Sequence, residues 1–133
     1  MKTELIFFDS YENSLQGTVR GLIAFISLIV LDFIWFSITK NKYYTTKSPI
    51  NIYAALGVWL LLCSAIAVQK PKSYTEALVY SLLVGFVVYG VFNLTNFAIF
   101  KEWKFEIVIM DTIWGMFNCA VAGTLIYLLY WKN

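Results

Sequence analysis

The chain has 133 residues, of which 60% are hydrophobic and 14% are charged, and its mean hydropathy is +0.70. A soluble domain carries roughly a quarter charged residues, so this composition excludes a domain with a water-facing shell on every side. The net charge of +2 does not favour nucleic acid as a partner, and the absence of histidine removes the commonest metal ligand and the usual catalytic base.

The first 18 residues mix acidic and large apolar side chains, such as Glu4, Phe7, Phe8 and Asp9. This pattern is typical of a short helix in the membrane interface, and equally of an unordered tail. We therefore separate residues 1–18, an interfacial or disordered segment, from a transmembrane domain over residues 19–133.

Four long apolar stretches follow, at about residues 19–39, 50–68, 77–100 and 105–130. As a helix, each is long enough to cross about 30 Å of hydrocarbon. A backbone in lipid must satisfy its own hydrogen bonds, and these stretches lack the alternation of barrel strands. The sequence therefore predicts an all-α fold, namely a multi-pass four-helix bundle within a lipid bilayer.

The basic residues lie near the ends of these stretches, and this topology puts five on each side of the membrane. One side carries Lys2, Arg20, Lys70, Lys72 and Lys132, and the other carries Lys40, Lys42, Lys47, Lys101 and Lys104. The positive-inside rule is tied, so the orientation stays open and an antiparallel homo-oligomer is allowed. Which membrane holds the chain also stays open.

Polar side chains lie deep inside the predicted spans at matching heights. Asp32 and Asn93 each lie eight residues before a lysine that ends their span, and Asp111 lies near the start of the following span. Eight helical residues are about 12 Å of depth, so the three share one level, which Trp59 reaches from the second span. Helical spacing also puts the polar residues of each span on one face. The predicted ligand or ion pocket comprises Asp32, Trp35, Trp59, Tyr89, Asn93, Asn96, Asp111, Trp114 and Asn118.

The two aspartates carry most of the functional interpretation. An ionised aspartate in mid-span costs about 2.5–3.5 kcal/mol, so both carboxylates are expected to face the bundle interior. No lysine or arginine lies deep in a span to pair with them. We expect a shared or held proton, or a bound hard cation such as Na⁺, and no other cofactor or metal centre. The alternative is that these polar groups only hydrogen-bond neighbouring helices.

Short motifs support the same site. Asp32-Phe33-Ile34-Trp35 and Asp111-Thr112-Ile113-Trp114 share an Asp-x-Ile-Trp pattern, as in inverted repeats. Residues 19–130 also carry three longer motifs: Leu31-Asp32-x-x-Trp35, Tyr89-Gly90-x-x-Asn93-Leu94-Thr95-Asn96 and Asp111-x-x-Trp114-Gly115. In these motifs the chain resembles a family of small four-span predicted membrane proteins of uncharacterised function, found mainly in bacteria. The resemblance implies a fold and a site but no established activity. Aspartate is common in that family where this chain has Asn93, which argues against a three-carboxylate mechanism here.

Several functions are compatible with these residues. The first function is transport or conduction of a proton, of a cation, or of a small substrate coupled to one of these ions. The alternatives are a binding or accessory protein for a lipid or another apolar or cationic small ligand, and a purely structural membrane subunit. An enzyme is not favoured, because no activated nucleophile and no metal-ligand motif accompanies the carboxylates.

Overall fold

The computed structural model describes the backbone of residues 2–39 and 51–131 and the side chains of residues 14–39 and 51–130. Over these ranges the chain forms four α-helices and no strand: α1 (Lys2–Thr39), α2 (Ile52–Ala67), α3 (Tyr74–Ile99) and α4 (Phe105–Ile126), with a π-helical turn at Tyr127–Trp131. The predicted all-α fold of four helices is confirmed, and three of the helices are suited to crossing a membrane.

The first helix is longer than the predicted span. α1 is continuous over 38 residues, about 57 Å, and its apolar part is Ser14–Thr39. The helical backbone thus extends through most of the segment before residue 19. The assignment of residues 1–18 to the membrane interface stays a prediction.

Three helical stretches of the described chain are long and apolar enough to cross a membrane: Ser14–Thr39, Tyr74–Ile99 and Phe105–Tyr130. α2 has 16 residues, about 24 Å, and is shorter than the predicted span over residues 50–68. Its start is fixed by Asn51, whose side chain accepts a hydrogen bond from the Ala54 N–H at 3.2 Å.

The third helix begins at a capping box, three residues earlier than predicted. The Ser73 hydroxyl oxygen accepts from the Glu76 N–H at 3.1 Å, and the Glu76 carboxylate accepts from the Lys72 N–H at 2.8 Å. α3 and α4 are joined by residues 100–104 only, and this short connection makes them antiparallel neighbours.

Glycine lets α3 and α4 approach closely. A methyl group added at Gly85 would meet the backbone of Gly115, one at Gly115 would meet the Tyr89 ring, and one at Gly123 would meet the Ser81 hydroxyl. Small residues at such positions are typical of helix packing in membranes, where close backbone approach supplies van der Waals contact. This contact fixes α3 against α4 at the height of the polar residues.

An apolar core lies below the polar level and joins α1, α2 and α4. Its fully buried members are small or branched, and include Ala24, Leu28, Leu62, Ile66 and Cys119. At the far end, the Arg20 guanidinium lies 5.7 Å from the centre of the Tyr130 ring, a cation–π geometry. These contacts attach α1 to the other helices and set the height of Asp32.

Candidate functional site

Asp32 connects three helices. Its side chain is buried in α1, where Oδ2 accepts a hydrogen bond from Trp59 Nε1 of α2 at 2.7 Å. Oδ1 accepts from Asn118 Nδ2 of α4, also at 2.7 Å. Both donors are neutral groups.

Asp111 makes the corresponding connection from α4. Its Oδ1 accepts from Trp35 Nε1 of α1 at 3.1 Å, and its Oδ2 accepts from Asn93 Nδ2 of α3 at 2.7 Å. The Asn93 amide also donates to the backbone oxygen of Tyr89 at 2.9 Å. Each aspartate therefore receives one indole N–H and one amide N–H.

The two Asp-x-Ile-Trp segments, one in α1 and one in α4, contact each other. Trp35 of the first donates to Asp111 of the second, and Trp114 of the second stacks on Trp35 of the first. The hydrogen bond runs in one direction only, because Asp32 of the first segment accepts from Trp59 and Asn118. The inverted relation between the two segments stays a prediction.

The carbonyl oxygens of the two asparagine side chains have no hydrogen-bond partner among the described residues. Asn93 and Asn118 are fully buried, and the NH₂ group of each donates a hydrogen bond to a carboxylate. An amide rotated by 180° presents this oxygen instead. It would then accept from a protonated carboxyl group.

A cavity of about 530 Å³ borders both carboxylates. Its walls are almost entirely hydrocarbon and aromatic, with Asp32 and Asp111 as the acidic groups at its surface. The lining residues are Asp32, Trp35 and Phe36 of α1; Ala55, Val58, Trp59, Leu61, Leu62 and Ala65 of α2; Val88, Tyr89 and Phe92 of α3; and Asp111 of α4.

The predicted pocket residues fall into three groups. The hydrogen-bonded network contains Asp32, Trp35, Trp59, Asn93, Asp111 and Asn118. Trp114 stacks on Trp35, and Tyr89 lines the cavity. Asn96 lies outside both; its backbone oxygen accepts the Phe100 N–H at 2.8 Å at the end of α3.

Sequence reasoning did not identify the apolar cavity wall. Val58, Leu61, Val88 and Phe92 are residue types that also face lipid, so hydrophobicity gives them no distinguishing signal. One usable signal was spacing, because Ala55 and Leu62 lie four residues before and three residues after Trp59, on the same face of α2.

Within the part of the chain whose side chains the structure describes, the buried basic residue lies far from the two carboxylates along the helix axis. Arg20 is the buried basic residue of the described chain, but it precedes Asp32 by 12 residues, about 18 Å along α1. Among the described residues, no three His, Cys, Asp or Glu side chains cluster as a metal site would require.

Comparison with known families gives a match over most of the chain. The family model described as "Predicted membrane protein (DUF2177)" matches residues 18–128. Neither the comparison with curated proteins nor that with solved structures gives a match.

Proposed function

The chain belongs to the DUF2177 family of predicted membrane proteins and is a multi-pass integral membrane protein of a lipid bilayer. We propose that it transports or conducts a proton or a cation, or a small substrate coupled to one of them. Asp32 and Asp111 are the proposed carriers of the exchanged charge. The observation that carries this proposal is the burial of both carboxylates at the wall of one intramembrane cavity.

The charge balance supports an exchangeable cation. Described side chains donate four hydrogen bonds to Asp32 and Asp111, from two indole groups and two amides, which are all neutral. Each ionised carboxylate at such a depth costs about 2.5–3.5 kcal/mol, and two neighbouring ones also repel each other. A proton or a bound cation lowers this cost.

The asparagines allow the site to exist in two charge states. When the carboxylate is ionised, the amide of Asn93 or Asn118 donates its N–H group, as observed. When the carboxyl group is protonated, a rotated amide accepts its O–H group at the unused oxygen. Asp32 with Asn118, and Asp111 with Asn93, are thus suited to loading and unloading a proton.

The heights of the contacts support a fourth crossing by α2. Trp59 lies seven residues after the start of α2 and contacts Asp32, which lies seven residues before the end of α1. Both are therefore about 10 Å from the same surface. α2 continues for eight more residues towards the opposite surface, so we propose that its 16 residues cross a locally thin part of the bilayer.

Flux measurements test the proposal. The purified protein is reconstituted into liposomes that contain a dye sensitive to H⁺, Na⁺ or K⁺, and a gradient of the matching ion is imposed. We expect protein-dependent flux for at least one ion, lost in Asp32→Asn and in Asp111→Asn. Glu102→Gln is the matched control because it removes an exposed carboxylate at the α3–α4 connection. Equal flux in wild type and both aspartate variants would falsify the role of the carboxylates.

The apolar cavity favours a second candidate, a binding or accessory protein for a lipid or another apolar ligand. Such a ligand would co-purify with the protein and be detected by native mass spectrometry. It would remain bound in Asp32→Asn and Asp111→Asn, because neutral hydrocarbon gains nothing from a carboxylate. A co-purified ligand together with no ion flux in the liposome assay would favour this candidate, and ion flux that both aspartate substitutions abolish would favour the first.

A further inference from the structure

The cavity beside the carboxylates opens sideways, between α2 and α3. These two helices make few contacts, whereas α3 and α4 pack closely. The residues at the opening are exposed on both helices: Leu61 is 76% and Val58 56% exposed on α2, and Phe92 is 53% exposed on α3. In a bilayer this opening faces acyl chains, so a ligand can enter from the membrane without crossing a water-filled vestibule.

The polarity of the cavity wall changes from the opening of the cavity to its inner end. Leu61, Val58 and Phe92 at the mouth offer hydrocarbon and aromatic carbon. Asp32 and Asp111 at the inner end offer carboxylate oxygens, with the rings of Trp35, Trp59 and Tyr89 beside them. Aromatic faces and carboxylates both attract positive charge. Carboxylates repel anions and give no advantage to an uncharged hydrocarbon.

We propose that this cavity is a lateral binding site for an amphipathic organic cation, an ammonium or phosphonium group with apolar substituents. Its charged centre lies at Asp32 and Asp111, and its substituents lie against α2 and α3 towards the lipid. This substrate class rests on the proposed function, since it identifies the small substrate whose passage is coupled to the carboxylates. A cavity of about 530 Å³ is within the range that holds drug-sized ligands.

The site is better suited to an organic cation than to a bare metal ion. A hard metal ion takes six or more oxygen ligands or keeps its water, and the wall of this cavity is mostly carbon. An organic cation carries a diffuse charge and its own apolar surface. The buried oxygens of Asn93 and Asn118, unpaired among the described residues, add negative potential behind the carboxylates.

Binding of radiolabelled tetraphenylphosphonium to the protein in lipid nanodiscs tests this inference. Tetraphenylborate is the matched probe of the same shape and opposite charge, and empty nanodiscs measure partition into lipid. We expect saturable binding of the cation only, weakened about ten-fold or more in the double variant Asp32→Asn with Asp111→Asn. Equal binding of both probes, or cation binding unchanged in this variant, overturns the inference.

A second variant tests the route and leaves the carboxylates in place. Leu61→Trp fills the opening and should weaken or slow phosphonium binding. Leu60→Trp is the matched control, because Leu60 is a neighbouring exposed residue of α2 that does not line the cavity. An identical effect of the two substitutions excludes entry between α2 and α3. Size-exclusion elution of each variant checks its folding.

The two assays separate the inference from the proposed function. Phosphonium binding without any proton, cation or phosphonium flux in liposomes contradicts transport and leaves a binding site. Ion flux that depends on Asp32 and Asp111, without phosphonium binding, supports transport and overturns the organic-cation site.

Discussion

Trp35 stacks on Trp114, with ring centroids 4.9 Å apart and ring planes 11° from parallel. Trp35 follows Asp32 by three residues and Trp114 follows Asp111 by three, so the stack joins the acidic segments of α1 and α4. Because Trp35 also donates to Asp111, one indole contacts the other ring and the carboxylate at once. A change at one aspartate should therefore affect the environment of the other.

Neutralising one aspartate should stabilise the protein near neutral pH. Asp32→Asn keeps the size of the side chain and removes its repulsion with Asp111, which lines the same cavity. We expect a gain on the order of 1 kcal/mol and a flatter dependence of the melting temperature on pH. Thermal unfolding in detergent across a pH series measures both, with Glu102→Gln as the control. Strong Na⁺-dependent stabilisation of wild type, lost in Asp32→Asn, would instead indicate a bound ion.

Removing the indole donor of Trp59 should be more costly than removing that of Trp114. Trp59→Phe leaves an aromatic ring and deletes the 2.7 Å hydrogen bond to Asp32, which should cost about 1–3 kcal/mol. Trp114→Phe should cost less, since its N–H group is outside hydrogen-bond geometry. Combining Trp59→Phe with Asp32→Leu, whose side chain has no acceptor oxygen, gives a double-mutant cycle. A coupling energy of zero contradicts the hydrogen bond.

A single methyl group at the α3–α4 contact should be strongly destabilising. In Gly115→Ala the added carbon meets the Tyr89 ring, and we expect a loss of about 1–3 kcal/mol. Gly90→Ala is the control on α3, where the nearest atom is Thr112 Cγ2 at 3.8 Å. It should be neutral or slightly stabilising because alanine favours the helix. The melting temperatures of the two variants are compared. Equal values would mean that α3 and α4 are not in close contact.

Cysteine labelling should place the two ends of α2 on opposite sides of the membrane. Asn51→Cys and Lys70→Cys are introduced separately into a chain in which the buried Cys63 and Cys119 are replaced by alanine. An impermeant maleimide added to sealed, oriented vesicles should label one variant from outside and the other only after permeabilisation. Labelling of both from the same side would show that α2 does not cross, and would reduce the bundle to three spans.

The helices were predictable because they depend on local composition. Apolar runs that exclude water must close their backbone hydrogen bonds, and only a helix or a closed barrel does so in lipid. The start of the second helix was less predictable, since the Asn51 cap begins the helix after residue 50, where hydropathy alone begins the apolar run. Hydropathy measures transfer into lipid and does not detect a capping hydrogen bond.

The sequence by itself determined that α-helices cross a membrane and that Asp32, Asn93 and Asp111 lie at one height, because helical rise converts residue number into depth. Only the tertiary structure decided which donor meets which carboxylate, why Asn96 lies outside the network, and that a cavity opens between α2 and α3. Those features depend on how each helix is rotated and how closely it packs, and side chains distant in sequence determine both.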